Sequence, residues 1–151
     1  MTSDEMDRRM LGALLRIPFQ AIVARIAAGL AARGFADLRP AQFAVFQLVD
    51  SEGTRLTDLA ERAQVTKQSM GGLVDALEAG GYVERLQDPS DRRAKIVRLT
   101  HKGWAVDAAA REILRETEAE WGQALGRERI LELKATLKDL IGVIESGDSP
   151  G

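Results

Sequence analysis

Apolar positions recur near every fourth residue from residue 5 to residue 33, at Leu11, Leu15, Pro18, Ile22, Ile26 and Leu30 with Leu14 and Phe19 beside them. That period predicts one long helix. Pro18 falls inside it, removes a backbone donor and crowds the preceding turn, so a kink or break is expected near residue 14. Gly34 is a suitable stop. Pro40 fits the first turn of a second helix over 40–52, with Phe43, Phe46, Leu48 and Val49 apolar. A short helix over 57–63 follows, with Thr57 as its expected N-cap, then a tight turn at Gln64-Val65. Thr66 caps a helix over 67–79 that turns Met70, Leu73, Val74 and Leu77 inward, and Gly80-Gly81 end it.

The period then shifts from 3.6 to 2. Residues 82–86 and 96–99 read as two strands. Asp88-Pro89-Ser90-Asp91 supplies turn chemistry between them, in a connection long enough to project. Thr100 caps a helix reaching about residue 124, Gly126 interrupts it, and a final helix over 127–145 carries Ile130, Leu133, Leu137, Leu140, Ile141 and Ile144. Steps of three and four on that stripe suit lengthwise packing on another helix. With the long first helix, it offers more apolar face than one small domain covers.

Short helix, tight turn, helix, then hairpin is the order of a winged helix-turn-helix, whose second helix enters the DNA major groove. Such a helix needs an apolar inner face and small or short polar residues outside, near its N-terminus. Helix 67–79 presents Lys67, Gln68, Ser69, Gly71 and Gly72 there. Two adjacent interior glycines cost about 2 kcal/mol relative to alanine. Either the fold crowds the helix at that point or a duplex approaches it closely, and their place one turn inside the N-terminus favours the duplex. Arg92, Arg93 and Lys95 lie between the strands, where an arginine can enter a narrow minor groove. Asp91 beside them is expected to pair with an arginine and stiffen the wing.

The chain has 151 residues and a formal net charge of −2, which alone argues against a nucleic-acid partner. The distribution reverses that: residues 84–103 carry 6 Lys/Arg against 3 Asp/Glu, between a near-neutral N-terminal part and an acidic C-terminal part. Local field, not total charge, attracts phosphates. Cys is 0 and His is 1, which excludes disulfides, cysteine-ligated metals, thiol redox sensing and a histidine-rich metal site. No metal, cofactor or catalytic constellation is expected, and so no enzyme. The apolar stretch Ile17–Leu30 is interrupted by Gln20 and Arg25 and is shorter than the ~20 clean apolar residues of a membrane span, so no membrane partner is expected and a cytoplasmic location is the default.

The runs Leu56-Thr57-Asp58-Leu59-Ala60 and Leu73-Val74-Asp75-x-Leu77-Glu78-x-x-Gly81-Tyr82-Val83-Glu84-Arg85 lead into the most specific one, Asp88-Pro89-x-Asp91-Arg92-Arg93 with Leu99-Thr100-x-x-Gly103. Together they resemble the MarR (multiple antibiotic resistance regulator) family of transcription regulators, over about residues 5–145. The resemblance implies a mostly α fold with a small β-hairpin wing: a helical dimerisation region at 1–38 and 105–146, a winged helix-turn-helix DNA-binding domain at 39–104, and a flexible tail at 147–151. It implies a homodimer, joined through the first, fifth and sixth helices, that grips a pseudopalindromic operator in double-stranded DNA. Thr66, Lys67, Gln68, Ser69, Gly71 and Gly72 would face the major groove, Arg92, Arg93 and Lys95 would serve the wing, and Asp91 would hold it. Many members carry a polar or basic residue where Gly71 and Gly72 stand. The family often has an effector pocket between dimer helices and winged domain, which Phe19, Phe43 and Phe46 would line for a small aromatic or apolar effector. The function implied is a repressor released by a small ligand, localised to the nucleoid when operator-bound; the alternative is a winged-helix module that binds protein without reading DNA sequence. His101, the acidic run Glu116, Glu118 and Glu120, and the two tryptophans Trp104 and Trp121 are assigned to surface (His101 and the acids) and to core or dimer packing (the tryptophans).

Overall fold

A computed structural model describes residues 2–147. It contains α1 (Ser3–Asp7), α2 (Leu11–Ala32), α3 (Pro40–Leu48), β1 (Thr54–Arg55), α4 (Leu56–Ala63), α5 (Lys67–Ala79), β2 (Val83–Asp88), β3 (Asp91–Leu99), α6 (His101–Leu125) and α7 (Arg127–Gly147). The strands form one antiparallel sheet in the order β1-β3-β2. The chain divides into two compact units, 1–113 and 114–151, the boundary falling within α6.

The core of the first unit is built from Val45 and Phe46 of α3, Leu59 of α4, Met70, Val74 and Leu77 of α5, Val83, Val97 and Leu99 of the sheet, and Val106 of α6, all buried. Phe46, Met70, Val74 and Leu77 are among the inward positions the sequence pattern assigns, whereas Val45 and Val106 are core residues it does not single out. Ile26 and Leu30 bury the end of α2 in the same unit. There α2 passes so near α6 that a Cβ on Gly29 would sit 2.5 Å from the Ile113 side chain. In the second unit α6 and α7 pair around Gly126, whose φ of +102° makes the corner, and Lys134 reaches Glu118 at 2.9 Å.

Several boundaries differ from the expected ones. The N-terminal segment is two helices, not one. The break falls at residues 8–10, between Arg8, the C-cap of α1, and Met10, the extended N-cap of α2. Pro18 does not break α2, although it deprives the Leu14 carbonyl of its helical donor. At 22 residues, with an 18-residue stretch of mean hydropathy 1.5, α2 meets the length and composition of a membrane-crossing helix, which the shorter apolar run did not suggest. The second helix stops at Leu48 instead of 52, because Arg62 donates to the Leu48 carbonyl at 2.8 Å and Val49 is already extended. α4 begins one residue early with Arg55 at the N-cap, whose side chain makes no capping bond, so Thr57 lies inside the helix. β1 is a two-residue strand too short to leave a periodic signal. Gly147 closes α7; residues 148–151 of the expected tail lie outside the described residues.

Candidate nucleic-acid interface

The helix-turn-helix is α4 and α5. Gln64, at φ 57°, turns the corner in the left-handed region, and the Val65 N–H donates back to Ala60 at 3.0 Å. Thr66 then caps α5, its hydroxyl oxygen accepting the Ser69 N–H at 3.0 Å. At the other end the Tyr82 N–H reaches the Leu77 carbonyl at 2.9 Å and the Gly81 N–H reaches Glu78 at 3.0 Å, the paired bonds of a Schellman stop with Gly81 at φ +81°. Between these ends Met70, Val74 and Leu77 seal the inner face, while Thr66, Lys67, Gln68, Ser69 and Gly72 are exposed and Gly71 is half-buried. A Cβ on Gly71 or Gly72 would meet nothing within 4 Å. The fold therefore does not crowd α5 at its glycines.

Arg85 of β2 fixes α5 against the sheet. It is 20% exposed and pairs with Asp75 at 2.7 Å and Glu78 at 3.1 Å, and it donates to the Gly71 carbonyl at 3.3 Å. Its backbone N–H also donates to Glu78, at 3.1 Å. One side chain thus spans two turns of the helix. Arg85 stands at the end of a family-like run, but nothing in its local pattern signals this role.

The wing departs from the expected long loop. β2 and β3 are joined by Pro89 and Ser90 alone, and Arg92, Arg93 and Lys95 belong to β3. The extra length lies instead in the register: Gln87 pairs with Lys95 while its neighbour Asp88 pairs with Asp91, so residues 92–94 form a bulge on one strand. Arg92, Arg93 and Lys95 are all exposed there. Asp91 does not hold an arginine side chain; its carboxylate accepts the backbone N–H of Arg93 at 2.9 Å. The ion pair at the wing base is a different one, Arg55–Asp88, at 2.6 Å. Asp88 is 6% exposed and accepts the Ser90 amide at 2.9 Å, the Ser90 hydroxyl at 2.7 Å and Arg55 Nε at 2.7 Å. The Ser90 amide, then its hydroxyl, and after them Arg55 hold the Asp88 carboxyl below the usual carboxylate range against the opposing effect of burial. Turn chemistry at 88–91 was legible; the partner of Asp88, 33 residues away, was not.

A second cluster that no sequence pattern signals surrounds Tyr82. Its ring meets Phe35 and Phe46 edge-on at 6.2 and 6.1 Å, its hydroxyl donates to Asp37 at 2.6 Å, and the Lys102 ammonium lies 4.3 Å from the ring centre. The expected convergence of Phe19, Phe43 and Phe46 is not the aromatic cluster that forms. Phe46 is committed to Tyr82 in the core, Phe43 is half-buried, and Phe19 is 64% exposed on α2. Trp104 is 40% exposed, and His101 is exposed. Of the acidic run, Glu116 and Glu120 are exposed, and Glu118 is half-buried against Lys134.

The Leu-Thr-x-x-Gly run has a geometric cause. Thr100 accepts the Gly103 N–H at 3.2 Å and donates to the Gly81 carbonyl at 2.6 Å, and a Cβ on Gly103 would collide with the Tyr82 carbonyl oxygen. Only glycine lets the first turn of α6 lie on the end of α5.

The MarR family profile matches residues 38–95, which run from the end of the α2–α3 linker through the wing. The HTH-type transcriptional regulator FarR of Neisseria gonorrhoeae is 30% identical over 115 residues, covering 76% of this chain and 79% of FarR. The chain belongs to the MarR family. This MarR-family chain is also similar to the transcriptional regulator HosA of Escherichia coli O111:H-, 33% identical over 104 residues, 68% of this chain and 77% of HosA. Its fold matches that of the transcriptional repressor CouR, solved bound to a 23-mer DNA duplex, with a TM-score of 0.75 at 29% identity over 93% of this chain and 98% of CouR. The relatives it matches are transcription regulators, and this chain is a DNA-binding transcription regulator with a winged helix-turn-helix.

Proposed function

We propose that the chain acts as a homodimeric repressor that binds a pseudopalindromic operator and leaves it when a small aromatic or apolar ligand binds. α5 lies in the major groove, with Thr66, Lys67, Gln68 and Ser69 toward bases and backbone, and Arg92, Arg93 and Lys95 of the wing follow the adjacent minor groove or its phosphates. The observation that carries this reading is the outer face of α5. Two glycines open onto empty space beside an exposed Lys67-Gln68-Ser69 edge, although each costs helix stability and relieves no clash. Close approach by a duplex gives that cost a purpose. Repression follows the likeness to CouR, a repressor. Dimerisation is supported by the large side chains left exposed on α2 and α7, among them Leu11, Phe19, Leu133 and Ile144. Phe19 and Phe43 retain ring surface that an apolar effector could use; Phe46 does not. Operator binding places the protein with the nucleoid, in the cytoplasm.

Selection from a random duplex pool, followed by anisotropy titration over a salt series, tests this. A palindromic consensus bound by two chains, with affinity falling steeply as salt rises, is the expected result. Salt-insensitive binding to DNA with no enriched sequence would overturn it and favour a protein-binding module.

A further inference from the structure

Where α4 begins, α5 begins and β3 bulges, the three elements enclose a cleft of about 90 Å³. Arg55, Thr57, Lys67, Arg93 and Lys95 line it, and its wall carries no acidic side chain. Arg55 is neutralised by Asp88. Lys67, Arg93 and Lys95 are exposed, and their side chains make no hydrogen bond or ion pair among the described residues. Three uncompensated cations from two distant segments therefore face one small space. A cleft of this size can seat a single tetrahedral oxyanion such as one phosphate group. An anion seated among like charges that line one cleft relieves their mutual repulsion.

We infer that the cleft is the seat of one DNA backbone phosphate, shared by Lys67 of the recognition helix and Arg93 and Lys95 of the wing, with the Thr57 hydroxyl as a further donor. This rests on the DNA-binding reading above and adds that helix and wing are joined through a common phosphate. Arg55 is then a positioning residue. Bound to Asp88 and, at 3.3 Å, to the Ser90 hydroxyl, it holds the hairpin turn so that the bulge stands over the start of α4. Capture of the phosphate would fix the angle at which helix and wing meet the duplex. That differs from the ordinary picture of separate cations, each on its own phosphate.

The two arrangements separate in a mutant cycle on the selected duplex, using the full-length chain. If the phosphate is shared, Lys67→Ala, Arg93→Ala and Lys95→Ala each weaken binding by about tenfold. The Lys67→Ala/Arg93→Ala double variant then falls well short of the hundredfold product. Its salt slope drops by about 0.9 per half-site, as for one phosphate, and not by twice that. A neutral methylphosphonate placed at each backbone position in turn should reveal one position per half-site that weakens the wild type and leaves the double variant unchanged. Additive losses that map to different methylphosphonate positions would overturn the shared seat while leaving the DNA-binding reading intact. So would single variants that bind as the wild type does. A chain that binds no duplex at any salt would overturn the DNA-binding reading, and the seat with it.

Discussion

Tyr82 is the only tyrosine in the chain, and at 1% exposure it sits where three segments meet. Its phenol is pushed up to about 12, first by burial and then by the hydrogen bond to Asp37 and the charge on that carboxylate. A folded value above the unfolded one, about 10, means the linked stability is complete below pH 10 and is lost as pH rises through about 12. Absorbance at the phenolate band should therefore show a single titration near pH 12, coincident with loss of helical circular dichroism. A titration near pH 10 in folded protein would contradict the burial of Tyr82 beside Asp37. Tyr82→Phe should cost about 1 kcal/mol in denaturant melts, since it removes a hydrogen bond and retains the ring. Position 82 was legible only as the start of a strand. Its roles depend on Phe35, Asp37 and Lys102, which no local pattern brings together. Thr66, by contrast, acts through its own helix turn, and its capping role was legible from the sequence alone.

At the scale of the element, α5 shows how legibility follows locality. Its bounds, its cap and its stop all arise within a few residues and all could be read. The absence of crowding around its glycines is a tertiary fact, and it turns two alternatives into a test. Gly71→Ala and Gly72→Ala meet open space, so each should raise stability by up to about 1 kcal/mol in thermal or urea melts. If the face receives DNA, the same substitutions should weaken operator binding by tenfold or more. Opposite signs in the two measurements support close approach. Variants that gain stability and bind DNA unchanged would show that the glycines leave room for nothing. The wing was harder to read, because a bulge is set by how two strands align. The basic run was visible, whereas its position on a strand was not. The N-terminal break also lies elsewhere than the proline suggests: α1 ends at Arg8 and α2 starts from the extended Met10, which leaves Pro18, the strongest breaker in the sequence, inside α2.

For the molecule as a whole, the winged core accounts for the apolar faces of α3, α4 and α5 and leaves those of α2 and α7 largely uncovered. Leu133 is 50% exposed and Ile144 55%. Sedimentation equilibrium at micromolar concentration should give a dimer, and Leu133→Glu with Leu137→Glu should give a folded monomer with much weaker operator affinity. A wild-type monomer at that concentration would exclude the proposed assembly. The fold class was legible because element order and periodicity survive without tertiary knowledge. What the two exposed faces meet was not, because an apolar stripe looks the same whether it packs within a chain or between chains.

The bulge at residues 92–94 lies on one strand only, outside the ladder that pairs Val83 with Leu99 and Gln87 with Lys95. Residues could be added to it or removed from it without shifting a single cross-strand partner in that ladder, and so without disturbing the join to α6. The reach of the wing is therefore a dimension that sequence length can change independently of the domain's stability. Related chains could fit DNA grooves of different width by insertion or deletion at this one place, while the scaffold that presents the wing stays the same.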